Sequence, residues 1–334
     1  MAQRILLVKL AALGDAVMAS TLVGAARARW PGAELTWVAG RGIAPLIRRL
    51  AGVQRVVEVD ETRLLRGNPF VRAQEMIRAW REIGTGYSVA LVAHADPRYE
   101  WLVRFTGAHD VRRAPLGRNG ERGKWHGGIY AEMARPLAMP ARLAALLPSS
   151  VALPVALTGV ENVIVIAPGG ARNVLRDDLL RRWPIERWVE LTKMLIEQGQ
   201  MVVAVGGQED MAEVAACAAV GAHDLAGRTS LDQLLALFER AACVVTHDSG
   251  TLHLAILVGA PTVALFGPTS PGEFVPAGAD VAVLSSAAGL DCAPCYDGLG
   301  YAACKNNLCL GGVSVTMVAA KVTETCRLQR AGVS

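Results

Sequence analysis

The sequence predicts an α/β protein of two doubly wound domains, each a parallel sheet covered by helices. Three observations carry this: short apolar runs alternate with helical stretches from the first residues onward, a segment rich in proline and serine interrupts them, and the alternation then starts afresh. The 334 residues suit two domains of ordinary size, and 52% hydrophobic against 19% charged residues is ample for two cores.

In the first half, strand-like runs occur at Arg4 to Val8 (RILLV), Glu34 to Ala39, Arg55 to Val59 and Tyr87 to Ala93. Helices are expected over Ala16 to Arg29, Ile43 to Leu50 and Phe70 to Ile83. The first loop, KLAALGD, has one glycine where a dinucleotide fingerprint has three, and no Walker-type lysine motif occurs, so neither NAD nor ATP hydrolysis is indicated. Asp15 follows that glycine. It would serve as a helix N-cap, or, at the carboxyl end of the first strand, as a proton acceptor for an incoming hydroxyl. His94 and Asp96 end the Tyr87 strand and are placed to face the same ligand. Arg63, Arg66, Arg72, Arg78 and Arg81 lie on or before one helix, while Arg112, Arg113, Arg118, Arg122 and Lys124 crowd a loop. They are solvated surface, or together they hold a phosphorylated or acidic acceptor or an anionic lipid headgroup.

Pro140 to Gly159 reads as a crossing segment between domains. Beyond it, Asn162 to Ala167 is a strand, followed by a long loop, PGGARNVLRDDLLRRWP, and a helix from Ile185 to Gln198. The reactive groups concentrate at Val244 to Pro271, VVTHDSGTLHLAILVGAPTVALFGPTSP, which reads as strand, polar loop, helix and strand. Asp248 or Ser249 would cap that helix. With Gly250, Thr251 and His253 beside them, the loop also reads as an anion cradle at a helix start. Arg172, Arg181 and Arg182 reach the same rim of the sheet, where guanidinium forks suit a diphosphate, and Glu209 is placed to accept from a ribose hydroxyl.

A net charge of +4 over this length makes no case for a nucleic-acid partner. No apolar run is long enough to span a bilayer, and Lys9 and Asp15 break the apolar pattern of the first residues, so no signal peptide is expected and the cytoplasm is the expected compartment. In that reducing environment the seven cysteines are expected as thiols or metal ligands. Cys292, Cys295, Cys304 and Cys309 form C-x2-C-x8-C-x4-C, compatible with a structural zinc or iron site and equally with free cysteines.

The chain resembles the lipopolysaccharide heptosyltransferase family, glycosyltransferase family 9. The similarity is carried by KLAALGD, by APGG followed by RRWPIERW, by DLAGRTSLDQLLAL, by the block from THDSG to GPTSP, and by the cysteine-bearing tail. The resemblance implies a GT-B fold, two Rossmann-like parallel-sheet domains facing a central cleft. It also implies an ADP-heptose donor, inversion at the anomeric carbon and no catalytic cofactor. Residues 1–150 would bind the acceptor, residues 160–312 the donor, and a C-terminal helix over 313–334 would be free to cross back to the first domain. Asp15 matches the family's proposed base. Arg181 and Arg182 match a basic pair that contacts the donor phosphates, though the pair usually opens with lysine, which puts in doubt any role needing a compact ammonium. Gly169, Gly170, Arg172, Glu209, Asp248, Ser249, Gly250, Thr251 and His253 would line the donor site; Arg63, Arg66, His94, Arg112, Arg113 and Arg118 would meet the acceptor. That acceptor is a lipopolysaccharide inner core or glycolipid, with peripheral contact to the cytoplasmic face of the inner membrane. A protein hydroxyl, another nucleotide-sugar donor, an epimerase and a non-catalytic sugar-nucleotide scaffold stay open as alternatives.

Overall fold

The computed structural model describes residues 3–115, 123–134, 141–151, 153, 162–172, 177–297 and 300–332. They form two compact units, one of Met1–Pro148 with Gly272–Phe274, the other of Ser149–Pro271 with Val275–Ser334.

The first unit runs β1 (Arg4–Val8), α1 (Leu13–Ala19), α2 (Thr21–Arg29), β2 (Glu34–Gly40), α3 (Ala44–Arg49), β3 (Arg55–Val59), α4 (Glu61–Arg66), α5 (Pro69–Ile83), β4 (Val89–Val92), β5 (Asp110–Arg113) and α6 (His126–Glu132). Its five strands are parallel in the order β3-β2-β1-β4-β5. Ile5, Leu6, Leu7 and Val8 are all fully buried, which is why β1 is written as an unbroken apolar run: helices cover both faces of a parallel sheet. The helix expected over Ala16 to Arg29 is divided at Ser20, whose hydroxyl accepts the Ala144 N–H at 3.0 Å. The loop expected around Arg112 and Arg113 is in part the edge strand β5. With only Val111 apolar and that side chain exposed, its four residues carry no burial signal.

The second unit runs β6 (Val163–Ala167), α7 (Ile185–Glu197), β7 (Val202–Ala204), α8 (Met211–Ala218), β8 (His223–Asp224), α9 (Leu231–Glu239), β9 (Ala241–His247), α10 (Gly250–Val258), β10 (Thr262–Leu265), α11 (Pro271–Phe274, mostly counted with the first unit), β11 (Val281–Leu284), α12 (Leu308–Gly311) and α13 (Val315–Gly332). Its six parallel strands lie in the order β11-β10-β9-β6-β7-β8. Gly259, left-handed at φ 74°, ends α10 and lets Pro261 lead into β10. The C-terminal helix packs on the second unit's core. Val315, Val318, Ala319, Val322 and Cys326 of α13 join Leu191, Leu195, Val245 and Val263 in one buried cluster of the second unit. An amphipathic helix ends where its apolar face finds a partner, and here that partner is α7 with β9 and β10.

Candidate active site

Open parallel sheets bind ligands at the carboxyl ends of strands where the strand order reverses. That point falls between β6 and β9 in the second unit and between β1 and β4 in the first. Near these points lie Asp15 and His94 in the first unit and Gly169, Gly170, Asp248 and Ser249 in the second.

In the second unit the loop after β6 carries Gly169 and Gly170. Gly170 sits at φ 87°, and a Cβ there would lie 3.1 Å from the Ser249 Cβ; a Cβ on Gly169 would meet the Asp210 Oδ1 at 2.3 Å. Only glycine lets this backbone pass so close to the loop after β9. Asp210, absent from the sequence-derived site, ties the loop after β7 to the loop after β6. Its Oδ1 accepts from the Gly170 N–H at 2.9 Å and from Arg172 Nη1 at 2.7 Å, and its Oδ2 accepts from the Gly207 N–H at 3.0 Å. The Gly206-Gly207 turn before an acid was the available signal, but it pointed to Glu209, which is exposed, while Asp210 is 7% exposed. Arg172 also pairs with Glu213 at 2.7 Å, so its fork is held inside the protein.

Asp248 follows β9 with its side chain 2% exposed. Its Oδ2 accepts from the Thr269 hydroxyl at 2.6 Å and faces Arg181 Nη2 at 2.8 Å. Its Oδ1 is buried and has no hydrogen-bond partner among the described residues. Burial by itself opposes charge on Arg181, but Asp248 and Asp178 more than offset it and push the guanidinium's pKa up. Arg182 donates through Nε to the Gly170 carbonyl at 2.8 Å and pairs with Asp177. Ser249 stands at the N-cap of α10 without a side-chain capping bond. Its hydroxyl lies 3.3 Å from that of Thr246, so the capping role open to it in the sequence is not taken up. Gly250 and Thr251 are half-buried in the first turn, and His253 is buried.

Beneath this loop His247 is fully buried. Its Nε2 accepts from the Trp183 backbone N–H at 2.7 Å and from the Trp188 indole at 3.2 Å, leaving Nδ1 to donate to the Gly169 carbonyl at 3.2 Å. Burial is the main cause, and the nearby Arg182 and Arg181 charges add to it, in pulling the imidazole pKa down to about 4. A neutral imidazole therefore fastens the strand carrying Asp248 to the segment carrying Arg181 and Arg182.

In the first unit Asp15 lies in the first turn of α1, and its Oδ2 receives the Lys9 ammonium at 3.0 Å. Lys9 is 4% exposed and also donates to the Tyr130 hydroxyl at 3.2 Å. His94 Nε2 accepts the Leu10 N–H at 3.0 Å while its ring stacks on Tyr99 at 3.7 Å, so it pins β4's end to the loop after β1. Burial first, then the Lys9 charge, holds His94 well below the usual imidazole range. Arg63 lies 3.9 Å from Glu75, Arg112 pairs with Asp110 at 2.6 Å and Arg113 with Glu100 at 2.6 Å, while Arg66 is exposed. Arg118 and Arg122 lie outside the described residues.

The four clustered cysteines do not assemble the metal site their spacing allowed. Among the described residues no group of three or more His, Cys, Asp or Glu could hold an ion. Cys292 and Cys304 are exposed, whereas Cys309 is buried and donates to Asn307 Oδ1 at 3.4 Å. Spacing permits a knuckle; here Asn307, between two of the thiols, accepts from Cys309 and donates its own N–H to Cys304 Sγ at 3.3 Å.

Residues 149–301 match the sequence model of glycosyltransferase family 9 (heptosyltransferase). The chain is 30% identical to lipopolysaccharide heptosyltransferase 1 of Pseudomonas aeruginosa over 315 residues, 87% of this chain and 86% of that protein. It is 39% identical to lipopolysaccharide heptosyltransferase 2 of Escherichia coli over 103 residues, a match that spans only 29% of that relative's length. Among solved structures, the fold matches the ADP-heptose heptosyltransferase II of Escherichia coli with a TM-score of 0.74 at 20% identity, covering 98% of this chain and 100% of the other. It matches a family 9 glycosyl transferase of Veillonella parvula with a TM-score of 0.75 at 18% identity, covering 98% of each.

Proposed function

The chain belongs to glycosyltransferase family 9, the heptosyltransferases, and we propose that it moves a heptose from ADP-heptose to a hydroxyl of a lipopolysaccharide inner-core or related glycolipid acceptor. The observation that carries the donor half is the buried, unpartnered Asp248 Oδ1 beside Arg181 at the amino end of α10. A buried acceptor without a partner is costly, and a ligand hydroxyl would satisfy it. The N–H groups at the start of α10, uncapped by Ser249, with Arg181 and Arg182 close by, suit the diphosphate. Gly169 and Gly170 let it approach the backbone.

The acceptor half rests on Asp15. Its carboxylate takes the proton as the acceptor O–H breaks, the oxygen bonds to the anomeric carbon from the face opposite the nucleotide, and the bond to the diphosphate breaks with inversion. ADP leaves with the electron pair, its charge met by Arg181, Arg182 and the α10 amides. The protein groups named supply the countercharge of the leaving group, so transfer proceeds without a divalent cation. No helix among the described residues is long and apolar enough to cross a membrane. We assign the protein to the cytoplasmic face of the inner membrane, where a face bearing Trp101 and Phe105, at 50% and 56% exposure, with Arg104 over the Trp101 ring, would meet the acceptor's lipid.

The test is transfer from ADP-heptose to a heptose-deficient lipopolysaccharide, with and without EDTA, by the protein and by Asp15→Asn. Transfer that survives EDTA and falls at least about 10²-fold in the variant supports the reading. Native-rate transfer by Asp15→Asn would remove the base, and ADP binding without turnover on any acceptor would leave a binding protein.

A further inference from the structure

We propose that Lys9 is a positioning residue for the transfer reaction: its buried ammonium fixes the Asp15 carboxylate in place and keeps it ionised for proton abstraction. The inference rests on the reading of Asp15 as base.

Lys9 interrupts the apolar run of the first strand at the point where the strand ends, a costly place for a lysine with only 4% of its surface exposed. Its backbone is fixed on both sides. The Lys9 N–H donates to the Val38 carbonyl at 3.1 Å, and the Lys9 carbonyl accepts from the Trp37 indole at 3.2 Å. The side chain is held too, because Nζ reaches the Tyr130 hydroxyl at 3.2 Å and Asp15 Oδ2 at 3.0 Å. Tyr130 is fully buried on α6, and α6 is itself tied to α2 by the Thr21 hydroxyl donating to the Gly127 carbonyl at 2.7 Å.

The carboxylate that receives this ammonium is the more exposed partner, with 38% of its side chain accessible against 4% for Lys9. The buried partner is therefore the anchor and the exposed one the working group. His94 is held neutral and committed to the Leu10 N–H, and Tyr99, which feels the Asp15 charge, is pushed up chiefly by burial. Lys9 brings a positive charge to Asp15 from the end of the first strand. An opposite charge in hydrogen-bond contact favours the ionised carboxylate, and a fixed carboxylate loses less freedom when the acceptor hydroxyl arrives.

Charge and orientation separate in two variants of the full chain. Lys9→Gln keeps a donor without the charge, and Lys9→Met removes both at similar length. Each is assayed for kcat/KM against pH with ADP-heptose and heptose-deficient lipopolysaccharide, beside ADP affinity by calorimetry and far-UV circular dichroism. The expected result is an acid limb moved to higher pH by about one unit in both variants. Lys9→Met additionally loses about 10²-fold in kcat at the optimum, while ADP affinity stays native. A loss equal at every pH, with the acid limb unmoved, would overturn the proposal, as would native kinetics. Should Lys9→Met fail to fold, Tyr130→Phe provides the second reading: it frees one of the ammonium's two holds but keeps its charge, so kcat should fall while the acid limb stays in place. If Asp15→Asn retains the native rate, it is the base that falls; if Asp15→Asn is inactive and both Lys9 profiles keep their acid limb, it is the role of Lys9 alone that falls.

Discussion

Arg181 and Asp248 face each other at 2.8 Å, the guanidinium 18% and the carboxylate 2% exposed, at the amino end of α10. One partner of such a pair cannot be removed without stranding the other. Arg181→Ala is therefore expected to cost about 3–5 kcal/mol of stability, whereas Arg181→Lys keeps the charge and loses only the fork, a smaller cost. Urea denaturation of both variants checks this. Equal losses would mean that geometry, not charge, holds the pair.

His247 makes stability depend on pH. The folded protein holds the imidazole neutral down to about pH 4, while the unfolded chain takes up its proton near 6.5. Unfolding thus binds a proton between those values, and stability falls as pH is lowered from about 6.5 to about 4. The full drop from this one group is about 3 kcal/mol, and His94, shifted in the same direction, adds to it. His247→Gln should flatten the slope while lowering stability at pH 8, where Trp183 N–H and the Trp188 indole lose their acceptor. A slope unchanged in this variant would assign the acid sensitivity elsewhere.

Gly170→Ala forces a side chain onto φ 87° and to within 3.1 Å of Ser249. It should cost about 1–3 kcal/mol and weaken ADP binding at least tenfold, because relief of the clash moves the loop after β6 away from the start of α10. Calorimetric titration with ADP reads this directly; native affinity would show that the diphosphate does not use this loop.

Asp210→Asn keeps the shape of the side chain that joins the loops after β6 and β7 but removes its charge from Arg172 and replaces one acceptor by a donor facing an N–H. Expected are a stability loss of about 1–3 kcal/mol and weaker ADP binding, with Glu209→Gln close to native in stability. The reverse ranking in thermal melts would make Glu209, not Asp210, the organising acid.

What the chain discloses before folding depends on whether a feature is local. β1 is readable to its end because burial on both faces writes an apolar run, β3 because valine fills three of its five positions, and the turn at Gly259-Ala260-Pro261 is written in residue types with fixed backbone preferences. β5 is an edge strand of four residues with no such run, and two arginines in succession resemble a basic patch until Asp110 and Glu100 are seen beside them. The polar residues of the loop after β9 are legible as a cluster because they are nearly consecutive. Lys9 and Asp210 are not, because what gives each its role lies far off in sequence: Tyr130 is 121 residues from Lys9, and Gly170 is 40 from Asp210. Tandem acids at 209 and 210 show the same limit at single-residue scale, for composition cannot say which of two neighbours turns inward.

Each unit closes its own core, with the cluster around Leu6, Val38 and Val92 confined to one and that around Ile166, Trp188 and Val318 to the other. A gene-level crossover near Pro148 would therefore exchange whole hydrophobic interiors without mixing them. If the first unit holds the recipient and the second the activated sugar, as proposed, the two specificities can be inherited separately, by shuffling. Residues 272–274, counted with the first unit though encoded in the second half, are the short stretch a chimera must match to its new neighbour.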